Sequence, residues 1–555
     1  MPQISTSGIR KPGRGTASAA RCPLVWRGVT RLLIVAGLAV AALVSIVLPV
    51  QVSAWWLFLT APLLVLAAVA VRDVSQSRHA LLRNYPVIGH ARYLMETVRP
   101  EIQQYFIERN TDGTPFDRNV RDLVYQRAKG TKDVEPFGTE RNVYAAGYDS
   151  FTHSMVPVDH AETEPRVRIG GPDCVQPYDM SLLNVSAMSF GSLSAQAVLA
   201  LNGGAAKGGF AHVTGEGAVS DYHLRPGGDL VWQIGTGYFG CRTHEGRFDP
   251  EKFASKAANP AVKCIELKLS QGAKPGHGGV LPGSKVTGEI ARVRDVPEGK
   301  TVFSPGYHQE FSTPRELIQF LARLRELSGG KPVGFKLCVG SRREVLAVCK
   351  AMVEERTTPD FVVVDGSEGG TGAAPVEFAD FVGTTLTDGL MIMHNALTGV
   401  GVRDQVKIGV SGKVATGADI VKRLVLGADY TNSARAMMFA VGCIQAQACH
   451  TNTCPVGVAT QDPGRARALD VADKTERVYR FHKATVSSAL ELMASMGARG
   501  PEDLHTDMLR RRVDANTVRP YSELYEWLAP GELLEHAPAS WQADWSKADA
   551  DSFTA

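Results

Sequence analysis

Two uncharged apolar stretches, residues 32–50 and 54–71, stand out near the start of the chain. Each approaches the ~20 residues that a helix needs to cross a ~30 Å hydrocarbon core. Gln51-Val52-Ser53 between them reads as a tight turn, so the pattern predicts a two-helix hairpin. Trp55 and Trp56 fall where interfacial aromatics belong. Arg10, Lys11, Arg14, Arg21, Arg27 and Arg31 precede the pair, and Arg72, Arg78 and Arg83 follow it, which puts both flanks in the cytoplasm. The expectation is a multi-pass anchor of two helices in the cytoplasmic membrane, with the rest of the chain in the cytoplasm. A signal peptide fits less well, because the apolar region is long and starts late. A buried core hairpin is the other alternative. Residues 1–28 combine Gly, Ser, Thr, Pro and Arg without apolar periodicity and read as disordered. Residues 72–130 read as helical and amphipathic.

From about residue 180 the rhythm changes. Short apolar, β-branched runs end in glycine or polar residues, with helical stretches after several of them. Eight runs read as strands: 182–190, 210–214, 262–269, 301–303, 333–337, 361–364, 406–410 and 428–432. Helices are expected at 194–207, 314–327, 342–355 and 417–426. Continuous apolar strands alternating with helices predict a parallel sheet covered on both faces. Eight such units over roughly 250 residues suit a (β/α)8 barrel. An open doubly wound sheet is the alternative, weakened because no G-x-G-x-x-G follows an early strand. The expected fold is therefore α/β: a TIM barrel over 180–465, an N-terminal two-helix transmembrane hairpin at 29–72, a linking extension at 73–179 and a C-terminal helical extension at 466–555.

Composition changes little in this picture. A net charge of +3, without a basic run interleaved with aromatics, excludes a nucleic-acid-binding reading. Nine cysteines, an odd number in no regular framework, argue against a disulfide-stapled secreted protein.

Chemistry in a barrel sits at the C-terminal ends of strands. There the chain places Ala187-Met-Ser-Phe-Gly-Ser192, Thr214-Gly-Glu-Gly217 and Lys268-Leu-Ser-Gln-Gly-Ala-Lys274, and later Lys336, Ser411-Gly412 and Asn432-Ser-Ala-Arg435. Gly369, Gly370, Gly372, Gly412 and Gly417 lie where loops after late strands bind phosphate, since backbone N–H groups approach an anion only where no Cβ intervenes. Singly, each is as readily a turn residue. Lys268, Gln271 and Lys274 recur every three residues past a strand, and lysines inside a barrel mouth need an anion or an electron-rich ring, such as substrate carboxylates or a flavin. Arg294 can add a bidentate carboxylate contact. A solvated lysine-rich loop accounts for the same residues, and Glu216 between two glycines is either a site carboxylate or a turn residue. Cys443, Cys449 and Cys454 are spaced C-x5-C-x4-C and closed by Pro455. Thiolates suit iron–sulfur clusters, and three ligands without a nearby fourth fit a three-iron one. Zinc or buried structural cysteines are the alternatives.

Together these residues resemble the synthase part of glutamate synthase, and most of all the stand-alone bacterial FMN-binding glutamate synthase family with an N-terminal membrane hairpin. The motifs Met188-Ser-Phe-Gly-Ser, Thr214-Gly-Glu-Gly, Gln271-Gly-Ala-Lys-Pro-Gly, Leu281-Pro-Gly, Gly369-Gly-Thr-Gly-Ala and Cys449-His-Thr-Asn-Thr-Cys-Pro-Val-Gly-Val-Ala-Thr-Gln461 occur in family order. The resemblance implies FMN in the barrel mouth, held by Met188, Ser189, Lys336, Gly369, Gly370, Gly372, Ser411 and Gly412. It implies a [3Fe-4S] cluster on Cys443, Cys449 and Cys454. Lys268, Gln271, Lys274, Glu216 and Arg294 would then hold 2-oxoglutarate or its imine over the flavin. The implied reaction is reductive amination of 2-oxoglutarate to glutamate through 2-iminoglutarate. The family's Gly-Glu-Gly-Gly-Glu-Asp run is Gly215-Glu-Gly-Ala-Val-Ser-Asp221 here, and its Glu after Lys-Pro-Gly is His277. These departures bear on the substrate. Neither an N-terminal cysteine nucleophile nor a nicotinamide-binding segment is expected, so ammonia would arrive free or from a partner. Electrons would come from a donor such as ferredoxin or a membrane redox partner. A membrane-tethered FMN oxidoreductase on another amino or keto acid is the second reading, and a non-catalytic redox sensor or scaffold the third.

Overall fold

The computed structural model describes residues 24–51, 55 and 57–554, in two compact units divided after Arg109. In the first unit, α1 (Leu24–Gln51) and α2 (Leu57–Ser75) pack against each other. Thr60 Oγ1 donates to Ser45 O at 2.7 Å, so a polar side chain between two apolar helices is satisfied. Near the end of α2, buried Asp73 accepts from the Val87 N–H and meets His90 Nε2, both at 2.9 Å. Among the described residues one helix segment, Phe58–Ser75, is long and apolar enough to cross a membrane; the other apolar helical stretch, Leu33–Val47, is shorter. The expected turn at 52–54, Trp56 and the basic residues up to Arg21 lie outside the described residues.

The second unit is built on a closed barrel of eight parallel strands. These are β1 (Leu183–Val185), β2 (His212–Val213), β3 (Leu230–Ile234), β4 (Val262–Lys268), β5 (Val333–Leu337), β6 (Phe361–Asp365), β7 (Lys407–Ser411) and β8 (Tyr430–Ser433). They neighbour one another in chain order, and β8 closes on β1 with Asn432 opposite Asn184. Two expected strands need correction. The barrel's third strand is Leu230–Ile234, absent from the sequence reading, and it pairs with β4 from Leu230↔Val262 to Ile234↔Leu267. Residues 301–303 are not a barrel strand: Val302–Phe303 pairs antiparallel with Val280–Leu281 in a separate ribbon. Phe303 is exposed, whereas every residue of Leu230–Ile234 is buried.

Around the barrel run α3 (Ala195–Gly208), α4 (Gly288–Arg294), α5 (Pro314–Leu327), α6 (Arg342–Glu355), α7 (Leu386–Gly399), α8 (Gly417–Val425) and α9 (Val471–Ser495). Their starts follow from local chemistry. Ser194 caps α3 by accepting from the Ala197 N–H. Thr313 and Glu316 form a reciprocal capping box on α5, with Pro314 at its first position. The long α9 packs on α3 and α8. A hairpin, Val167–Ile169 with Tyr178–Met180, stoppers the lower end: Ile169 and Met180 join Val213, Val231, Cys264, Phe361 and Tyr430 in an apolar cluster inside the strands. Asp149–Phe151 pairs with Leu509–Arg512, so segments before and after the barrel share one small sheet.

Candidate active site

Strand alternation decides which side chains enter the barrel. Below, Cys264, Phe361, Val363 and Tyr430 fill it with apolar volume. Two to four residues further along the same strands come Glu266, Lys268, Asp365 and Asn432, all buried. The lumen is thus apolar at its base and charged at the C-terminal ends. A polar chain crosses it: Gln233 Nε2 donates to Glu266 Oε1 at 2.5 Å, Lys336 Nζ lies 3.4 Å from Asp365 Oδ1, and Asp365 Oδ2 accepts the Gly272 N–H at 2.7 Å. Burial raises the Glu266 carboxyl above its usual range, against the pull of Lys336.

On one side of the mouth is a small pocket lined by Glu216, Thr236, Lys268, Gln271, His277 and Gly279, among others. Glu216 sits in it as a part-buried carboxylate and not as a free turn residue. Its Oε1 is 3.1 Å from Lys268 Nζ. Burial would raise its pKa, but Lys268, Arg294 and Lys274 together hold it below the usual range. Lys274 is buried, and its Nζ donates to Gly278 O at 2.7 Å. Arg294, at the end of α4, donates through Nη2 to Phe190 O at 2.9 Å and Ser189 Oγ at 3.2 Å. Burial pulls it down to about 10, which leaves it charged at neutral pH. Its Nε has no hydrogen-bond partner among the described residues. Of the five expected substrate residues, Glu216, Lys268 and Gln271 line this pocket, while Lys274 and Arg294 stand behind it within electrostatic reach of Glu216.

Across the mouth, the loops after β6, β7 and β8 meet. Gly412 has φ +157°, a backbone setting that a side chain would strain. A Cβ on Gly370 would lie 2.9 Å from Arg435 Nη1, so the glycine leaves an open cradle beside a guanidinium. Arg435 donates to Glu368 O at 2.9 Å, and its charge opposes that of Lys413. Two cations that repel one another around glycine backbone suit an anion such as the FMN phosphate. Ser411 Oγ meets Ser186 Oγ at 3.1 Å, and the buried Asn432 Oδ1 has no partner among the described residues. The orphaned Asn432 oxygen fits a polar cofactor. Gly417 does not belong here. A Cβ on it would strike the backbone of α9, 2.6 Å from Ala489 N, and the start of α8 is already occupied by its own Asp419, which accepts from the Thr416 N–H at 2.9 Å. Packing explains this glycine.

The cysteine loop lies against the loop after β6. A Cβ on Gly372 would come 3.1 Å from Cys449 Cβ. Burial pushes the Cys443 thiol up to about 12, with Cys449 and Cys454 adding to the rise, so the three sulfurs stand within electrostatic reach of one another. Among the described residues, no three His, Cys, Asp or Glu close tightly enough on a point to hold one metal ion. A single tetrahedral ion with bonds of about 2.3 Å would draw its sulfurs to about 3.8 Å.

Three contributors, Lys413, His308 and Lys285, went unnoticed in the sequence, and a fourth, Arg435, was placed at a strand end without a role. Lys413 and Arg435 complete the anion cradle. Buried His308 bonds Tyr238 Oη through Nδ1 and Lys268 O through Nε2, both at 2.9 Å, and burial lowers it to about 4, so a neutral imidazole braces the end of β4. Lys285 donates to the backbone of Cys449. Only Arg435 carried a signal, its place just after the last strand.

A family model described as a conserved region in glutamate synthase matches residues 155–499. A glutamate synthase large subunit-like protein, YerD of Bacillus subtilis (strain 168), is 38% identical over 481 residues, covering 79% of this chain and 91% of that protein. The archaeal glutamate synthase (NADPH) of Methanocaldococcus jannaschii is 33% identical over 329 residues, covering 59% of this chain and 61% of its own length. Among solved structures, mandelate oxidase with (S)-2-phenylpropionate aligns over 72% of this chain and 97% of its own at 15% identity, with a TM-score of 0.40, too low to carry an argument. From the matched region and the 38% identical relative, the chain belongs to the glutamate synthase family.

Proposed function

We propose that this glutamate synthase-like oxidoreductase carries out reductive amination of 2-oxoglutarate with ammonia, through 2-iminoglutarate, to glutamate. The observation that carries the reading is the charge of the pocket: Lys268, Lys274 and Arg294 surround a single carboxylate, Glu216. The surplus of two positive charges complements the two carboxylates of 2-oxoglutarate, and buried charge of one sign needs such a partner. Lys268 is braced through its backbone by His308, and Arg294 through Phe190, so these groups are held before substrate arrives. Family membership brings flavin and iron–sulfur chemistry in general; our finer assignment is FMN between Lys336 and the Lys413–Arg435 cradle, and a [3Fe-4S] cluster on Cys443, Cys449 and Cys454. When bound, the flavin supplies a hydride to the imine carbon and the cluster the single electrons that renew it. An external low-potential donor, such as ferredoxin or a membrane redox protein, completes the balance. The apolar helix Phe58–Ser75 supports a membrane anchor, and Arg72, Arg78 and Arg83 around its end support a cytoplasmic barrel.

A second reading, another 2-oxo acid, draws on His277, which lines the pocket and meets Phe378 edge-on at 5.3 Å. One experiment separates these readings. The full chain is purified anaerobically from the membrane fraction, its flavin and iron are measured, and visible and EPR spectra are recorded. Turnover is then assayed with ammonia, reduced ferredoxin and a panel of 2-oxo acids. The expected result is detergent-dependent release, FMN, a three-iron EPR signal and preference for 2-oxoglutarate. Preference for another acid supports the second reading, and protein without flavin or iron defeats both.

A further inference from the structure

We infer that Lys285 is a positioning residue whose ammonium, clasped between the cysteine loop and the loop after β1, sets how readily the cluster is reduced. The inference rests on the reading of Cys443, Cys449 and Cys454 as cluster ligands. Lys285 ends the short turn Gly283–Lys285 and is 3% exposed. Its Nζ donates to Cys449 O at 2.8 Å, Ala459 O at 3.0 Å and Ser192 O at 3.2 Å. Those three bonds use all its N–H groups, and none goes to a carboxylate.

A buried ammonium is costly unless an anion faces it. Lys331 shows what a purely structural clasp looks like. It donates to Ala257 O, Val262 O and Asn259 O at 2.6, 2.7 and 2.9 Å, and stands beside the single buried Cys264. Lys285 differs in bonding the backbone of Cys449, a member of the proposed ligand set, at 2.8 Å. During reduction one electron arrives from an external one-electron donor, no bond forms or breaks, and the local charge falls by one. A fixed positive charge at close range favours that state.

The test compares wild type, Lys285→Gln and Lys285→Arg in the full chain, by iron content and by EPR-monitored redox titration with dithionite. For Lys285→Gln with iron retained, the expected result is an about tenfold lower ratio of reduced to oxidised cluster at a given potential, a fall of about 59 mV in midpoint. Lys285→Arg should keep the wild-type midpoint. An unchanged midpoint in an iron-loaded Lys285→Gln overturns the inference. Should Lys285→Gln fail to load iron, the Arg variant decides: iron at the wild-type midpoint supports the inference, and a shifted midpoint or lost iron overturns it. Wild type without iron instead defeats the cluster reading itself.

Discussion

Burial alone would lift the Glu216 carboxyl, yet three cations hold it ionised in a pocket that water barely enters. Its carboxylate offsets part of their charge in the absence of substrate, while Lys274 and Arg294 keep the remainder available. Lys274→Ala should therefore weaken kcat/KM for 2-oxoglutarate by about 100-fold, or ~3 kcal/mol, as expected when one partner of a buried charge pair is removed. Flavin per protein should stay at the wild-type level, because Lys274 bonds Gly278 on the pocket wall and does not belong to the Arg435 cradle. Surviving turnover would remove it from substrate binding. The residue types at strand ends made Lys268, Lys274 and Arg294 legible from the sequence. Glu216 was ambiguous, since a carboxylate between glycines looks the same in a turn. Lys285 and His308 were illegible: both act through backbone carbonyls distant in sequence, and such bonds leave no local pattern.

Helices 314–327 and 342–355 coincide with their expected bounds: cap, proline and apolar period agree in the first, and the apolar period alone marks the second. Strands were harder. Leu230-Val-Trp-Gln-Ile234 puts Gln233 into the lumen, where it bonds Glu266, so a functional polar residue interrupts the apolar run that announces a buried strand. Thr301-Val-Phe303 has the right residues, but β-branching says that a segment is extended, not which sheet accepts it. The same limit applies to Gly417, whose glycine signals close approach without naming the neighbour. Gly417→Ala should destabilise the protein by about 1–3 kcal/mol through overpacking against α9. Thermal melts would register this, and flavin per folded molecule should be unchanged. Flavin loss at full stability would return Gly417 to the phosphate site.

At the scale of the molecule, buried imidazoles make stability depend on acidity. His308 is held near 4, and His223 and His482 near 3, each by burial. Unfolded, the same side chains bind protons below about 6.5. Above that value neither state is protonated and the histidines contribute no pH dependence. As pH falls from 6.5 towards 4, the unfolded chain takes up protons that the folded one refuses, so stability declines. His308 alone accounts for about 3 kcal/mol by pH 4, from its shift at 1.36 kcal/mol per pH unit. Denaturant midpoints should drop steadily across this window, and a flat profile would mean that these rings are hydrated. The barrel class was legible because many short units each repeat one motif. The stopper hairpin was not, because three-residue strands carry too little pattern.

That stopper governs traffic. With Ile169 and Met180 wedged into the base, the polar lumen is a blind socket with its doorway at the charged rim. Keto acid, ammonia and the finished amino acid would then queue at one threshold, each waiting for the last occupant to leave.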